Sequence, residues 1–449
     1  MKRHPSIANA QTTTAESFDC AMIGGGPAGA AAAIAAGRMG ARCVLIERHD
    51  VLGGMGTAAL VCVFCPSNYD GYRFIIEGVF GEMRRELIAA GSIYEHPGGM
   101  EAFDPEAWAA ILRRKCEEAG VEVLTGNSVI TAEETADGVR LELGCGRTVH
   151  AKAVVDAAGH AAVARQLGAV THFGRHDGKV MPLTFCYLLD GIDLAAVKAA
   201  IPHGVLYDRH TGEEYIRLGD CPELNVLLAE ERRAGRVNIP RDHISAIYGI
   251  PGRPGRGFVN FGRVNIANPE DPQQVAAAEE EGRRQISDGV DFFRRCIPGF
   301  AHVEVVETAR QIGVRESHHL CALHVLSAAE AEGCAQFPDA IAQSCYSIDI
   351  HIPDSDASVL KPFAPGTHFD IPWRCLIPNS GSGRVVVAGR CLGADHVAAG
   401  SLRVMPTMAA TGEAGGITAA LMADTGKPAR EIGADAVRRR LLETGGILD

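Results

Sequence analysis

Short unbroken apolar runs open the chain. Phe18 to Ile23 reads as a buried strand that ends in glycines, Pro27 to Arg38 is alanine-rich and reads as a helix, and residues 42–46 form a second apolar strand ending at Glu47. This is a βαβ unit of about thirty residues. Helical patterns follow over about 76–91 and 105–119, the second entered through Asp104 with Pro105 at its first position. From Val121 the pattern changes to short strands: Val121–Leu124, Ser128–Thr135, Val139–Leu143 and Thr148–His150, with Asp137-Gly138 and Gly144-Cys145-Gly146 as turns. Ala153–Asp156 is a further apolar strand running into Ala157-Ala158-Gly159.

The middle of the chain follows a different logic. Residues 180–190 and 258–264 read as strands, and a long helix over about 272–296 is capped by Asp271 with Pro272 in its first turn. A short helix is expected at 327–333. The opening pattern returns late, with a strand over Arg384–Ala388 and an alanine-rich helix over about 406–424. The expected fold class is α/β: a Rossmann-like dinucleotide-binding domain, parallel sheet plus β-meander, assembled from 17–170 and 369–449. An α+β substrate domain, 171–368, is inserted in it, and residues 1–16 form a loose tail.

Composition narrows the function classes. The 449 residues are 47% hydrophobic and 22% charged, as in a soluble globular protein, and the formal net charge of -12 without a basic run argues against nucleic-acid partners, RNA modification included. The polar first sixteen residues lack a signal peptide's apolar centre, and no apolar run of about 18 residues exists to span a membrane. Fourteen scattered cysteines fit buried free thiols in a reducing cytoplasm, the expected location.

The chemistry starts at Gly24, Gly26 and Gly29, which fit G-x-G-x-x-G between a strand and a helix, with Pro27 and Ala28 inside the motif. The first glycine makes a tight turn, the second lets backbone approach a pyrophosphate, and the third lets helix and strand pack closely. Phosphates then sit at the helix N-terminus. Glu47, beside Arg48, lies where a carboxylate accepts hydrogen bonds from ribose hydroxyls, and such an acid serves NAD and FAD alike.

Later segments favour FAD. Asp156-Ala157-Ala158-Gly159 after the meander and Val387-Ala388-Gly389-Arg390 before the last helix give a layout that resembles the glutathione-reductase-like flavoproteins. Residues 313–317, 337–342, 346–351, 370–378 and 388–407 look like the FAD-dependent oxidoreductase family, whose distant relatives include the fumarate reductase and succinate dehydrogenase flavoproteins. The resemblance implies that Gly53, Gly54 and Met55 line the pyrophosphate and ribityl region and that Val129 places backbone groups near the adenine. Gly159, Gly389 and Arg390 would meet the dinucleotide, and Arg403, Val404 and Met405 would start a helix facing the flavin. Two positions depart from the commoner pattern: Arg390 where many members carry aspartate, and His160 where relatives usually have aspartate. No histidine stands at the usual position for covalent attachment, so FAD is expected to be noncovalent.

The expected reaction is hydride transfer between flavin N5 and a small polar organic molecule, with a carboxylate-bearing substrate suggested by analogy with the fumarate reductase group. His396 and Arg403, in the loop before the flavin-facing helix, are the first candidates for catalysis. Arg315, His351, His318 and His319 follow; Asp349 and His351 alternate on an extended run and could pair as a base, and Arg315 could pair with Glu316. No second dinucleotide motif follows a strand, so electrons would come from the substrate, free nicotinamide or an external partner. Cys62 and Cys65 form C-x-x-C, which leaves a flavin disulfide reductase as an alternative, and a flavin-bound sensor or partner subunit without turnover as another. No metal site is expected, because no second pair has ligand spacing.

Overall fold

The computed structural model describes residues 16–96, 98–219 and 221–448. Of the expected tail, residues 1–15 lie outside these, and Glu16 opens the first strand. Strand β1 (Glu16–Ile23), helix α1 (Pro27–Arg38) and strand β2 (Cys43–Ile46) form the expected βαβ unit, with β1 and β2 parallel. Helices α2 (Gly78–Ala89) and α3 (Pro105–Glu118) follow, and Asp104 caps α3 by accepting from the amides of Glu106 and Ala107. Strands β3 (Glu122–Leu124), β4 (Val129–Glu134), β5 (Val139–Leu143) and β6 (Thr148–Asp156) complete the sheet path β3-β2-β1-β6-β5-β4.

The pattern had suggested two strands within 148–156, but β6 is continuous. It runs parallel to β1 along one edge. On the other edge its first half pairs antiparallel with β5, and Val154 to Asp156 pair parallel with a late strand. Exposed Lys152, bonded to Asp19 at 2.8 Å, marks that change of partner rather than a break. At its end Asp156 is fully buried and accepts from the amides of Val163 and Ala164, both at 2.8 Å, capping the short helix α4 (Ala162–Gln166).

A second sheet of six strands is antiparallel throughout. Its strands are β7 (Tyr187–Asp190), β8 (Val205–Tyr207), β9 (Glu214–Leu218), β10 (Ala246–Gly249), β11 (Gly257–Asn260) and β12 (Glu304–Thr308), in the order β8-β9-β10-β11-β7-β12. Helix α5 (Pro222–Arg233) follows β9, and α6 (Pro272–Cys296) packs Phe292 and Phe293 with Phe258 and Tyr187 in one core. The strands expected over 180–190 and 258–264 are shorter, because Pro182 has no amide to donate and Leu183 and Val264 meet only in an isolated bridge.

The chain then returns. After β13 (Ile348–His351), strand β14 (Val385–Val387) pairs with β6, and α7 (His396–Leu402), α8 (Met405–Thr425) and α9 (Ala434–Glu443) follow. Helix α8 is buried along nearly its whole length and lies against α1. Gly412 and Gly416 make this approach possible: a Cβ at either would stand 2.0 or 2.1 Å from the carbonyl oxygen of Ala28 or Ala32. Among the described residues no helix is long and apolar enough to cross a membrane.

Helix α8 also carries Glu413, 3% exposed, which accepts from the Val79 amide at the start of α2 and from Thr444 Oγ1 after α9, both at 2.9 Å. Burial pushes its carboxyl up to about 7, against the two hydrogen bonds. A carboxyl raised in the folded state favours folding most below its unfolded value and withdraws that contribution as pH rises through the folded value. Between about pH 4.5 and 7 this one group is therefore expected to remove about 3 kcal/mol of stability. Urea midpoints at pH 5 and pH 8 check this: the drop should be smaller in Glu413→Gln, and an equal drop would locate the pH dependence elsewhere.

Candidate active site

The N-terminal end of α1, the C-terminal ends of β2 and β6, and the second sheet face a cavity with about 2020 Å³ of space free of protein atoms, its open mouth included. The enclosed part of that space is about 410 Å³, within the few hundred to ~1,000 Å³ of an ordinary small-ligand pocket.

The glycines divide by role. Gly24 has φ +95°, and a Cβ there would strike the Ala157 carbonyl at 2.7 Å; at Gly29 a Cβ would stand 1.7 Å from the Gly24 oxygen. Both are needed by the turn and its packing. Gly26 is different: its backbone is extended, and a Cβ there would meet nothing closer than Gly54 Cα at 4.0 Å. It faces cavity space that only a ligand would fill, directly before the free amides of α1. The residues fit a pyrophosphate on this ground.

Glu47 is buried at the rim, and its oxygens already accept from the amides of Gly25 at 2.6 Å and His49 at 2.7 Å, tying the end of β2 to the glycine loop. Pro27, Ala28, Arg48, Gly54, Met55, Gly159, Gly389, Arg390, Val404 and Met405 also line the cavity. Gly29, Gly53 and Val129 do not. Gly53 braces the loop by donating to the Gly25 carbonyl at 2.8 Å, with φ +108°. Val129 lies on β4, the edge strand beyond β5, and packs against the core beneath the meander, which takes it away from the cavity.

His160 and Arg390, the two unusual residues, belong together. Arg390 donates to the Gly159 carbonyl at 3.0 Å and to His160 Nε2 at 3.3 Å. A guanidinium only donates, so Nε2 accepts, and His160 Nδ1–H is left to donate to Ser317 Oγ at 2.8 Å. Burial and the nearby Arg390 push the imidazole well below its usual value. Burial likewise lowers Arg390 to about 10, with Arg48 and Arg403 adding to the effect.

Beyond the cradle the cavity is lined by Arg241, Arg315, Arg403, Tyr346, Asp349 and His351. Arg241 donates to the Gly262 carbonyl at 3.2 Å and Arg315 to the Pro182 carbonyl at 2.7 Å. Arg403 alone has a carboxylate partner, Asp349 Oδ2 at 3.1 Å. The Nε atoms of Arg241 and Arg403 are buried without a partner. Burial lowers Arg315 to about 9, with Arg403 and Arg241 pushing further, and lowers Arg241 to about 10. Three guanidiniums thus share one wall with one carboxylate.

Asp349 joins the group. It accepts from Arg403, from Tyr346 OH at 3.3 Å and from His351 Nε2 at 3.4 Å. Burial alone would raise its carboxyl, but His351, Arg403 and Arg315 hold it well below the usual range. The expected Asp349–His351 pair therefore exists, but its proton assignment argues against a base. Arg263 donates to His351 Nδ1 at 3.4 Å, so the ring proton sits on Nε2 and points at Asp349. Burial pushes the imidazole well down, and both ring nitrogens are engaged, Nε2 with Asp349 and Nδ1 with Arg263.

Two other expectations change. His396 and Arg403 are not in a loop: Asp395 accepts from the amides of Val397 and Ala398 and starts α7 at His396, while Arg403 ends it. His396 does not line the cavity. Its Nδ1 bonds Glu316 Oε1 at 2.7 Å, which also receives His319 Nε2 at 3.2 Å, and the two histidines hold buried Glu316 at about 2 against the cost of burial. Arg315 and Glu316 form no ion pair, because Arg315 donates to the Pro182 carbonyl and Glu316 is held by the two histidines. His318 accepts from Arg165 at 2.9 Å and faces Thr171 at 2.8 Å, away from the cavity lining.

The cysteine pair is split. Cys62 is buried in the core of the second sheet with Cys186, whereas Cys65 lines the cavity near Tyr346. Burial drives the Cys62 thiol well up and that of Cys65 to about 12, the opposite of what a reactive dithiol needs. Sequence reasoning missed Arg241, Tyr346 as a cavity residue, and Arg263. The signal for Arg241 was an arginine amid apolar neighbours, Ile239 and Ile244, which only the second sheet turns inward.

Among solved structures the chain is similar to p-nitrophenol 4-monooxygenase PnpA from Pseudomonas putida (13% identity, TM-score 0.45, covering 96% of this chain and 87% of that one). It is also similar to a geranylgeranyl bacteriochlorophyll reductase-like protein from Thermoplasma acidophilum (12%, 0.46, 95% and 83%). A third is the anhydrotetracycline hydroxylase OxyS from Streptomyces rimosus (16%, 0.40, 96% and 67%). No curated protein matches its sequence. The family model described as FAD dependent oxidoreductase matches residues 19–441, and the chain therefore belongs to the FAD-dependent oxidoreductase family, an enzyme whose cofactor is FAD.

Proposed function

We propose that this enzyme transfers hydride between a small carboxylate-bearing substrate and noncovalent FAD. The observation that carries the reading is the wall on which Arg241, Arg315 and Arg403 face the cavity, with Asp349 bonded to Arg403 alone of the three. Buried charges without partners are costly, and an anion bonded to them removes that cost. The cradle at Gly26 with Arg390 would hold the pyrophosphate, and Met405, at the start of α8, would face the isoalloxazine. When bound, the flavin supplies an N5 that accepts or gives the hydride. The chain's part is to place the substrate: Arg315 and Arg241 grip a carboxylate, while Asp349 fixes Arg403 from behind. Tyr346 OH donates to Asp349, and burial and that carboxylate push the phenol well up, so it serves this wall as a hydrogen-bond donor. Electrons would be exchanged with an external donor or acceptor.

The test is titration of the oxidised holoenzyme with oxalate, malonate and succinate, and with their neutral diamides, followed by the flavin difference spectrum. The acids should perturb the flavin saturably and the diamides should not. Equal perturbation by both sets, or none by either, would overturn the charge reading.

A further inference from the structure

Outside the cavity, one cluster of metal-ligating side chains stands out among the described residues. His203 lies just before β8, and Cys221 and Glu223 follow β9 at the start of α5, so the three converge at the base of one hairpin. Cys221 Sγ is 3.0 Å from Glu223 Oε2 and 3.7 Å from His203 Nε2, and that nitrogen is 3.8 Å from the same Glu223 oxygen.

We propose that His203, Cys221 and Glu223 form a zinc site that clips the β8–β9 hairpin to α5. Thiolate, imidazole and carboxylate are the three side-chain donors zinc takes. The three measured separations define a triangle whose centre lies about 2.0 Å from every donor atom, so an ion at zinc's ~2.0–2.3 Å sits just out of their plane. No donor has to move far. The side chains of His203 and Glu223 are each 60% exposed, which leaves a fourth position for water. Cys221 is buried at the N-cap of α5, with its Sγ donating to Glu223 Oε2. On binding, the Sγ–H proton leaves to solvent as the Sγ–zinc bond forms, with no change of oxidation state.

The site has a structural consequence. The donors straddle two strands at the edge of the second sheet, so the ion cross-links chain that a short hairpin alone would hold weakly. None of the three residues lines the cavity, so the flavin should be indifferent to the metal.

The experiment uses the FAD-loaded enzyme, supplied with zinc and dialysed against zinc-free buffer. Zinc per chain is then measured by inductively coupled plasma mass spectrometry, with melting before and after chelation. The expected result is one zinc per chain, a lower melting temperature after chelation and an unchanged flavin spectrum. His203→Ala, an exposed change that spares the fold, and Cys221→Ser should each lose the zinc and the chelator effect. Cobalt in place of zinc should give tetrahedral d–d absorption to the red of the flavin bands, absent in both variants. A wild-type protein that retains no metal, or variants that retain as much as wild type, would overturn the site.

Discussion

Gly26→Val should yield a folded protein that has lost its flavin. The residue sits in extended backbone open to any side chain, and a Cβ there would meet only Gly54 Cα, at 4.0 Å. The apo protein should therefore melt within about 1 kcal/mol of wild type, as for a change away from packing. The valine branches instead occupy the space in front of the α1 amides, where a pyrophosphate must sit. Losing two charge-assisted hydrogen bonds costs about 3–6 kcal/mol, or roughly 10²- to 10⁴-fold in FAD affinity. Flavin content after purification and a fluorescence titration measure this. Gly29→Val is the contrasting control: with a Cβ 1.7 Å from the Gly24 oxygen it should lose the fold itself. Stoichiometric flavin in Gly26→Val would mean that the glycine loop is only a turn.

Arg315→Leu should keep the flavin and lose the substrate. Its guanidinium donates to a backbone carbonyl and has no carboxylate bonded to it, and burial already lowers it to about 9. Removing it relieves repulsion with Arg403 and Arg241, so the melting temperature should hold or rise. An anionic substrate, by contrast, loses a partner in a buried charge pair. Such losses cost about 2–5 kcal/mol, roughly 30- to several-thousand-fold in kcat/KM. Arg315→Lys should recover only part, because an ammonium cannot hold a carboxylate in two parallel bonds. A variant that turns over normally would remove Arg315 from the site.

The βαβ unit was legible because its information is local: a strand, three glycines, a helix and an acid within thirty residues. The caps of α3 and α6 were legible for the same reason, since Asp104 and Asp271 each bond amides two and three residues on. What pattern could not show was set by distant partners. Strand β6 looked like two because its neighbour changes from β5 to β14 halfway along. His396 looked catalytic by position, but Glu316, eighty residues earlier, turns it away. His351 was found, yet its tautomer depends on Arg263, a residue that nothing near it in sequence points to. Arg241 reaches the cavity only because the second sheet gathers six strands, spread over residues 187–308, into one wall.

On the proposed function, this flavoenzyme holds an anion against its arginine wall beside FAD. Anaerobic rapid mixing of the oxidised holoenzyme with a panel of small hydroxy and amino acids, each paired with its methyl ester, tests it most directly. At least one acid should bleach the flavin, its ester should do so at least about 100-fold more slowly, and Arg315→Leu should erase the difference. Esters that bleach the flavin as fast as their acids would contradict it.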